Sequence, residues 1–223
     1  MATRSKQKIS VVTNILEAND RVAEENRRRF ADSGVVVIDV MGSPGAGKTA
    51  LLEATIEALH GELRMAVVVG DITTTRDAER LAKKGVPAVQ IMTESFGGAC
   101  HLEASTLRQA LDQVALDQLD LLFVENVGNL VCPAEFDMGQ HQRVVVHSVT
   151  EGEDKPLKYP LAFRQADLVV INKIDLLPHL DYDVIALRDN LQRVNPNVQW
   201  FELSARSGQN MSGWLDWVRR RAG

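Results

Sequence analysis

The sequence predicts one α/β domain, a mainly parallel sheet with helices on both faces. Three observations predict it. Short apolar runs alternate with helical ones from Val35 to the C-terminus, the first of these runs stops at a glycine-rich turn and restarts as a helix, and no internal repeat or low-complexity linker breaks the pattern. At 223 residues, 45% hydrophobic and 25% charged, the chain is long enough to bury one large core.

The elements follow in order. After a short polar leader, Ile15 to Phe30 reads as a helix whose apolar positions Ile15, Leu16, Val22, Ala23 and Phe30 share a face, and Gly34 closes it. Arg27-Arg28-Arg29, beside Glu24 and Glu25, reads as a solvated helix end. Residues 1–34 are thus expected to be an N-terminal tail and amphipathic helix, and 35–223 the domain proper. Strands are expected at Val35 to Met41, Met65 to Val69, Ala88 to Met92, Leu119 to Val124, Arg143 to Val149, Leu168 to Ile171 and Val198 to Leu203. Helices are expected at Thr49 to Leu59, Arg76 to Lys83, His101 to Leu116, Val184 to Val194 and Met211 to Arg220. The longest irregular segments, Asn126 to Gly139 and Thr150 to Pro160, are where such folds tend to carry function.

Composition excludes several classes. A formal charge of −5 argues against a broad basic surface for nucleic acid. No run approaches the ~18 apolar residues of a membrane helix, and the leader shows no apolar signal-peptide core, so neither a nucleic-acid nor a membrane partner is expected and the expected location is cytoplasmic. In a reducing compartment Cys100 and Cys132 are thiols.

The glycine-rich turn is Gly42-Ser43-Pro44-Gly45-Ala46-Gly47-Lys48-Thr49, with Ala50 continuing into the helix. Its spacing fits a phosphate loop: successive backbone N–H groups and a helix N-terminus converge on one point, Lys48 reaches the outer phosphates, and the Thr49 hydroxyl can ligate magnesium. In a parallel sheet, ligands bind at the carboxyl ends of the strands. At those ends stand Asp71, Glu125 with Gly128, Asn172-Lys173-Ile174-Asp175, and Ser204-Ala205. Asp175 can accept two hydrogen bonds from groups that guanine has and adenine lacks, which favours GTP. Asn172 and Lys173 brace that loop, and Ser204-Ala205 add a backbone contact to the base. Together these residues resemble the G-domain of P-loop GTPases.

Magnesium needs further oxygen ligands beside Thr49, and Asp71 and Glu125 are the candidates. Gly128 is placed to donate its N–H to a γ-phosphate, which makes the following loop a switch. Helix capping is the competing reading for Asp71 and Asp77. No glutamine stands where it would orient the attacking water, so slow intrinsic hydrolysis is expected.

A second constellation is Cys100-His101 at the expected start of a helix, where thiolate is favoured, together with Cys132 just beyond Gly128. These three ligands are one short of a closed tetrahedral site, and a twofold dimer could pool two sets. Buried cysteine and a structural histidine are the bland alternative. His60, His141, His147 and His179 show no ligand spacing.

The sequence resembles the hydrogenase nickel-incorporation GTPases, the HypB-type maturation factors, from about Asn14 to the C-terminus. The resemblance rests on Asn14-Ile15-Leu16-Glu17-Ala18-Asn19-Asp20, the phosphate loop, Gly70-Asp71 with Asp77-Ala78-Glu79-Arg80, Cys100-His101-Leu102-Glu103-Ala104, and the long run Glu125 to Asp137. It implies a GTPase that dimerises with GTP, binds nickel or zinc through Cys100, His101 and Cys132 at the dimer interface, and helps deliver nickel to a [NiFe]-hydrogenase large-subunit precursor with a zinc-bearing accessory protein. An N-terminal cysteine motif and a histidine-rich tract, found in some members, are absent from this sequence, so the interface site is expected to do the metal work. Met92 to Ala99 departs from the family's shorter turn. Related GTPases serving urease or a cobalamin enzyme, an ATP-dependent small-molecule kinase, and a metal buffer are the alternatives.

Overall fold

The computed structural model describes residues 2–71, 76–93 and 100–223, with side chains from residue 14 onward. The Thr73 to Thr75 run and the Gly97 to Ala99 approach to Cys100 lie outside the described residues. A first helix, α1 (Ala2–Ser33), contains neither glycine nor proline and ends at Gly34, whose φ of +73° no β-carbon-bearing residue adopts cheaply. It begins well before Ile15, so the polar leader is helical and not a separate tail.

Seven strands then form one sheet, with every pairing among the described residues parallel: β1 (Val36–Gly42), β2 (Met65–Asp71), β3 (Ala88–Met92), β4 (Leu121–Glu125), β5 (Gln142–Ser148), β6 (Leu168–Asn172) and β7 (Gln199–Glu202), in the order β3-β2-β4-β1-β5-β6-β7. Parallel neighbours need crossover segments, and helices lie in them: α2 (Lys48–Leu59), α3 (Arg76–Ala82), α4 (Ala104–Leu111), α5 (Cys132–Glu135), α6 (Lys155–Lys158), α7 (Pro160–Arg164) and α8 (Val184–Val194), while α9 (Met211–Ala222) follows the last strand.

Because side chains alternate along a strand, each strand serves two cores. Ile38, Val40, Val67, Phe123, Val144 and Val170 pack against α2, α3 and α9. On the other face Val37, Val68 and Leu122 meet α1 and α4, and Met41, Val145 and Val169 meet α7 and α8. This is the three-layer architecture of the P-loop NTPases.

Two expectations are corrected. The helix expected from His101 to Leu116 runs only from Ala104 to Leu111, followed by a 3₁₀ turn at Leu116–Gln118. Its start is fixed from outside: Oδ1 of Asn19, on α1, accepts from the Ala104 N–H at 2.9 Å. The arginine cluster of α1 is not merely solvated. Arg27 pairs with Asp137 at 2.5 Å, and Arg29 bonds Asp112 and the Leu111 carbonyl, so the cluster clamps α1 to the body. The two long connections also carry short helices, α5 in one and α6 with the start of α7 in the other.

Candidate functional site

β1 ends at Gly42 and α2 begins at Lys48, so the loop between them is the phosphate loop predicted from its spacing. Glycine is required twice here. At Gly47, with φ +98°, a β-carbon would lie 2.4 Å from Nδ2 of Asn172, and at Gly42 it would lie 2.4 Å from the Val146 carbonyl oxygen. Nζ of Lys48 folds back to the carbonyls of Gly42 (3.2 Å) and Ser43 (3.4 Å), and burial lowers its pKa. The Thr49 hydroxyl donates to Oε1 of Glu125 at 2.8 Å.

Lys48, Thr49, Asp71, Glu125 and Gly128 meet around one cleft of about 420 Å³, with Pro44 and Arg80 at its edge. Glu125 is 4% exposed; burial pushes its carboxyl up to about 7 against the opposing pull of Lys48 and Thr49. Its Oε2 is buried without a hydrogen-bond partner. A buried, unpartnered carboxylate oxygen beside a threonine hydroxyl is the oxygen-donor chemistry that magnesium takes, so the residues present fit that ion. Asp77 lies within the first turn of α3, paired to Arg80 at 3.0 Å, and is not its cap.

The adjoining cleft, about 500 Å³, is lined by Ala50, Asn172, Lys173, Asp175, Leu176 and Ala205. Asn172 staples it together: Nδ2 donates to the Ala46 carbonyl at 3.0 Å, and Oδ1 accepts from Lys173 N–H (2.8 Å) and Ala205 N–H (3.1 Å). Lys173 adopts φ +65° and reaches the Gly45 carbonyl at 2.6 Å. Oδ1 of Asp175 is buried and unpartnered, as an acceptor waiting for donors would be. The Ala205 N–H, the backbone donor expected to meet a base, bonds Oδ1 of Asn172 at the lining of this cleft, and Ser204 is fully buried with its N–H on the Gln209 carbonyl. A larger cavity of about 780 Å³, around His60, Arg64 and Gln118, lies at the opposite end of the strands and holds none of the predicted site residues.

Cys100, His101 and Cys132 come together. Their ligand atoms all lie within 4.8 Å of one another, and no other such group occurs among the described residues. The two sulfurs are 2.8 Å apart as free thiols. Both ring nitrogens of His101 lack hydrogen-bond partners; the ring is held by stacking on Phe136, centroids 4.0 Å apart at 24°, and burial lowers its pKa. A neutral imidazole whose nitrogens make no hydrogen bond, Nε2 standing 3.7 Å from Oε1 of Glu103, beside two thiols is a soft-metal donor set.

One expectation about these thiols fails: Cys100 and His101 precede α4 by several residues and do not sit on its N-terminus. The neighbouring Cys100 thiol, with burial, pushes Cys132 upward, so without metal the Cys132 thiol keeps its proton.

The two centres share a loop. A β-carbon at Gly128 would lie 3.0 Å from the Pro44 ring, and Asn129 bridges antiparallel to Gly42, so the chain between Glu125 and Cys132 lies directly on the phosphate loop. Sequence reading missed what lies beneath it: Asp39, Asn126, Phe136 and Arg143 form a buried polar chain. A charged residue inside the apolar run Val35 to Met41 was the signal that could have revealed it.

Comparison with known proteins agrees with this geometry. The family model described as CobW/HypB/UreG, nucleotide-binding domain matches residues 36–202. The hydrogenase maturation factor HypB of Azotobacter chroococcum is 51% identical over 217 residues, covering 96% of this chain and 70% of that protein. The crystal structure of HypB from Archaeoglobus fulgidus superposes with a TM-score of 0.86 at 39% identity, covering 93% of this chain and all of that one. The crystal structure of HypB from Helicobacter pylori in complex with nickel gives the same TM-score and identity, covering 92% of this chain and 95% of that one. The chain belongs to the HypB family of hydrogenase maturation factors.

Proposed function

We propose that this chain is a GTP-hydrolysing metallochaperone that binds nickel or zinc through Cys100, His101 and Cys132 and supports nickel insertion into a [NiFe]-hydrogenase precursor. The observation that carries the reading is the shared loop: Gly128 lies against Pro44, and four residues later Cys132 lies against Cys100. A change at the γ-phosphate that moves Gly128 must move a metal ligand.

In this reading the phosphate-loop N–H groups and Lys48 hold the phosphates. Asp175 selects guanine, Asn172 and Lys173 hold the base loop to the phosphate loop, and Ala205 closes the base cleft. Thr49, Asp71 and Glu125 hold magnesium, which when bound neutralises charge building on the β- and γ-phosphates. Gly128 N–H senses the γ-phosphate. The three metal ligands leave one position open, suiting a metal that is handed on, and two copies facing each other would complete or share the site. The zinc-bearing accessory protein and the hydrogenase precursor are the proposed partners, in the cytoplasm. Among the described residues no helix is long and apolar enough to cross a membrane.

The test is solution mass with bound nickel and zinc counted, in GDP and in a non-hydrolysable GTP analogue, for the wild type and Cys100→Ala. The expected result is that the analogue drives dimerisation and changes metal affinity or stoichiometry, and that Cys100→Ala loses the link. Metal binding that is absent or indifferent to nucleotide would remove the reading.

A further inference from the structure

Neither ring nitrogen of His101 makes a hydrogen bond, and the carboxylate that faces Nε2, Oε1 of the exposed Glu103, stands off at 3.7 Å. Something else must hold the ring. The Asp39 side chain, on β1 three residues before the phosphate loop, is 0% exposed, and its two oxygens point two ways. Oδ2 accepts from Nε of Arg143 at 3.2 Å, and Nη2 of Arg143 donates at 2.9 Å to the carbonyl of Phe136, the residue whose ring stacks on His101. Oδ1 accepts from Nδ2 of Asn126 at 3.2 Å, and Oδ1 of Asn126 accepts from the backbone N–H of Leu102, the residue after His101, at 3.3 Å. Both arms leave one carboxylate and end on either flank of one imidazole.

The sheet explains how this is possible. Asp39 and Arg143 are direct cross-strand partners of β1 and β5, and Glu125, which precedes Asn126, pairs beside Val40 on the β4 side. The parallel register therefore delivers a carboxylate, a guanidinium and an amide to one point under the metal loop. Stability does not account for the arrangement. A buried ion pair is matched or exceeded by apolar residues of similar volume, because both charges lose their hydration. Apolar replacements would not reach the Phe136 carbonyl or anchor the Leu102 amide.

We propose that Asp39 is a positioning residue of the metal centre, fixing His101 through Arg143–Phe136 on one side and Asn126–Leu102 on the other. The inference rests on the reading of Cys100, His101 and Cys132 as metal ligands. Residues that orient ligands from behind typically change metal affinity by about 10–100-fold when altered.

The experiment uses the full chain without nucleotide, Ni²⁺ alone as the affinity probe and Co²⁺ as the optical one. It compares the wild type, Cys100→Ala, Asp39→Asn and Arg143→Lys, with folding checked by circular dichroism. Asp39→Asn is expected to bind Ni²⁺ at least about tenfold more weakly, to keep the thiolate-to-cobalt charge-transfer band, and to shift the ligand-field bands. A merely structural Asp39 would lower the melting temperature and leave affinity and spectrum unchanged, which overturns the proposal. Should Asp39→Asn fail to fold, Arg143→Lys decides: it keeps a cation beside Asp39 but loses the fork that also reaches the Phe136 carbonyl, so weakened Ni²⁺ binding with shifted ligand-field bands supports the inference and wild-type behaviour overturns it. A wild type that binds no Ni²⁺, or a Cys100→Ala protein that binds it equally well, removes the metal-centre reading itself and this inference with it.

Discussion

The hydroxyl of Thr49 donates to Oε1 of Glu125 at 2.8 Å, joining the first turn of α2 to the end of β4 across the floor of the phosphate cleft. In the proposed function both groups hold the same magnesium ion, and the hydrogen bond is what they make without it. Glu125→Gln keeps an acceptor for Thr49 and removes only the charge. The expected result is a folded protein whose GTP turnover needs at least about tenfold more magnesium. A magnesium titration of steady-state hydrolysis checks this; an unchanged titration would take Glu125 out of the ion's shell.

Asp175 carries an unpartnered, buried Oδ1 at the base cleft. Replacing it by asparagine keeps one acceptor for the ring N1–H and turns the other oxygen into an amino donor, which opposes the 2-amino group of guanine but suits the C2 carbonyl of xanthine. Asp175→Asn should lose roughly 10–100-fold in GTP affinity, the equivalent of a lost buried acceptor with its partners unpaired, and gain affinity for the xanthine nucleotide. Competition binding with the two nucleotides reads both changes at once. Loss of both affinities together would place Asp175 in the architecture of the loop and not in base choice.

Cys132 lies 2.8 Å from the Cys100 sulfur at the start of α5, a helix whose core contact is made by Ala134 and not by the thiol. Cys132→Ala is expected to weaken nickel and zinc binding by at least about tenfold while nucleotide affinity stays within about twofold. Equilibrium dialysis for metal beside fluorescent-nucleotide titration separates the two. Equal losses would mean that the thiol only packs the loop.

Local chemistry was legible in the sequence and tertiary chemistry was not. Strand, glycine turn and helix are contiguous at Gly42 to Thr49, so their spacing carries the structure with it. α4 was overextended because its start is set by Asn19, far away in sequence, which no helical periodicity records. The same holds for Cys100 and His101: residue type identifies them, but the helix start expected to favour the thiolate lies downstream at Ala104, and type says nothing of the force that orients the imidazole. It lies in the contact with Phe136 and in the cross-strand register of Asp39 with Arg143. A lone carboxylate in a valine-rich strand announces that it needs a partner, but only the strand order says which.

Two buried titratable groups give the nucleotide- and metal-free protein opposing pH dependences. Glu125 is pushed from 4.5 up to about 7, so between those values the folded state holds a proton that the unfolded state has released, and stability falls as pH rises. His147 is 1% exposed with Nε2 on the Tyr182 hydroxyl at 2.8 Å. Burial lowers it from 6.5 to about 4, so across that range the unfolded state takes up a proton that the folded state refuses, and stability falls as pH drops. Where the windows overlap, the two slopes cancel in the wild type, each amounting to at most about 1.4 kcal/mol per pH unit. Single variants should expose them separately. Glu125→Gln should gain stability steadily as pH rises from 4 toward 6.5. His147→Gln, which keeps a partner for Tyr182, should lose stability from 4.5 toward 7. Urea unfolding at pH 5 and pH 7, with magnesium and nucleotide removed, measures both. If both variants kept the wild-type profile, neither group would be titrating abnormally, and the desolvation that makes Glu125 ready to exchange its proton for magnesium would not exist.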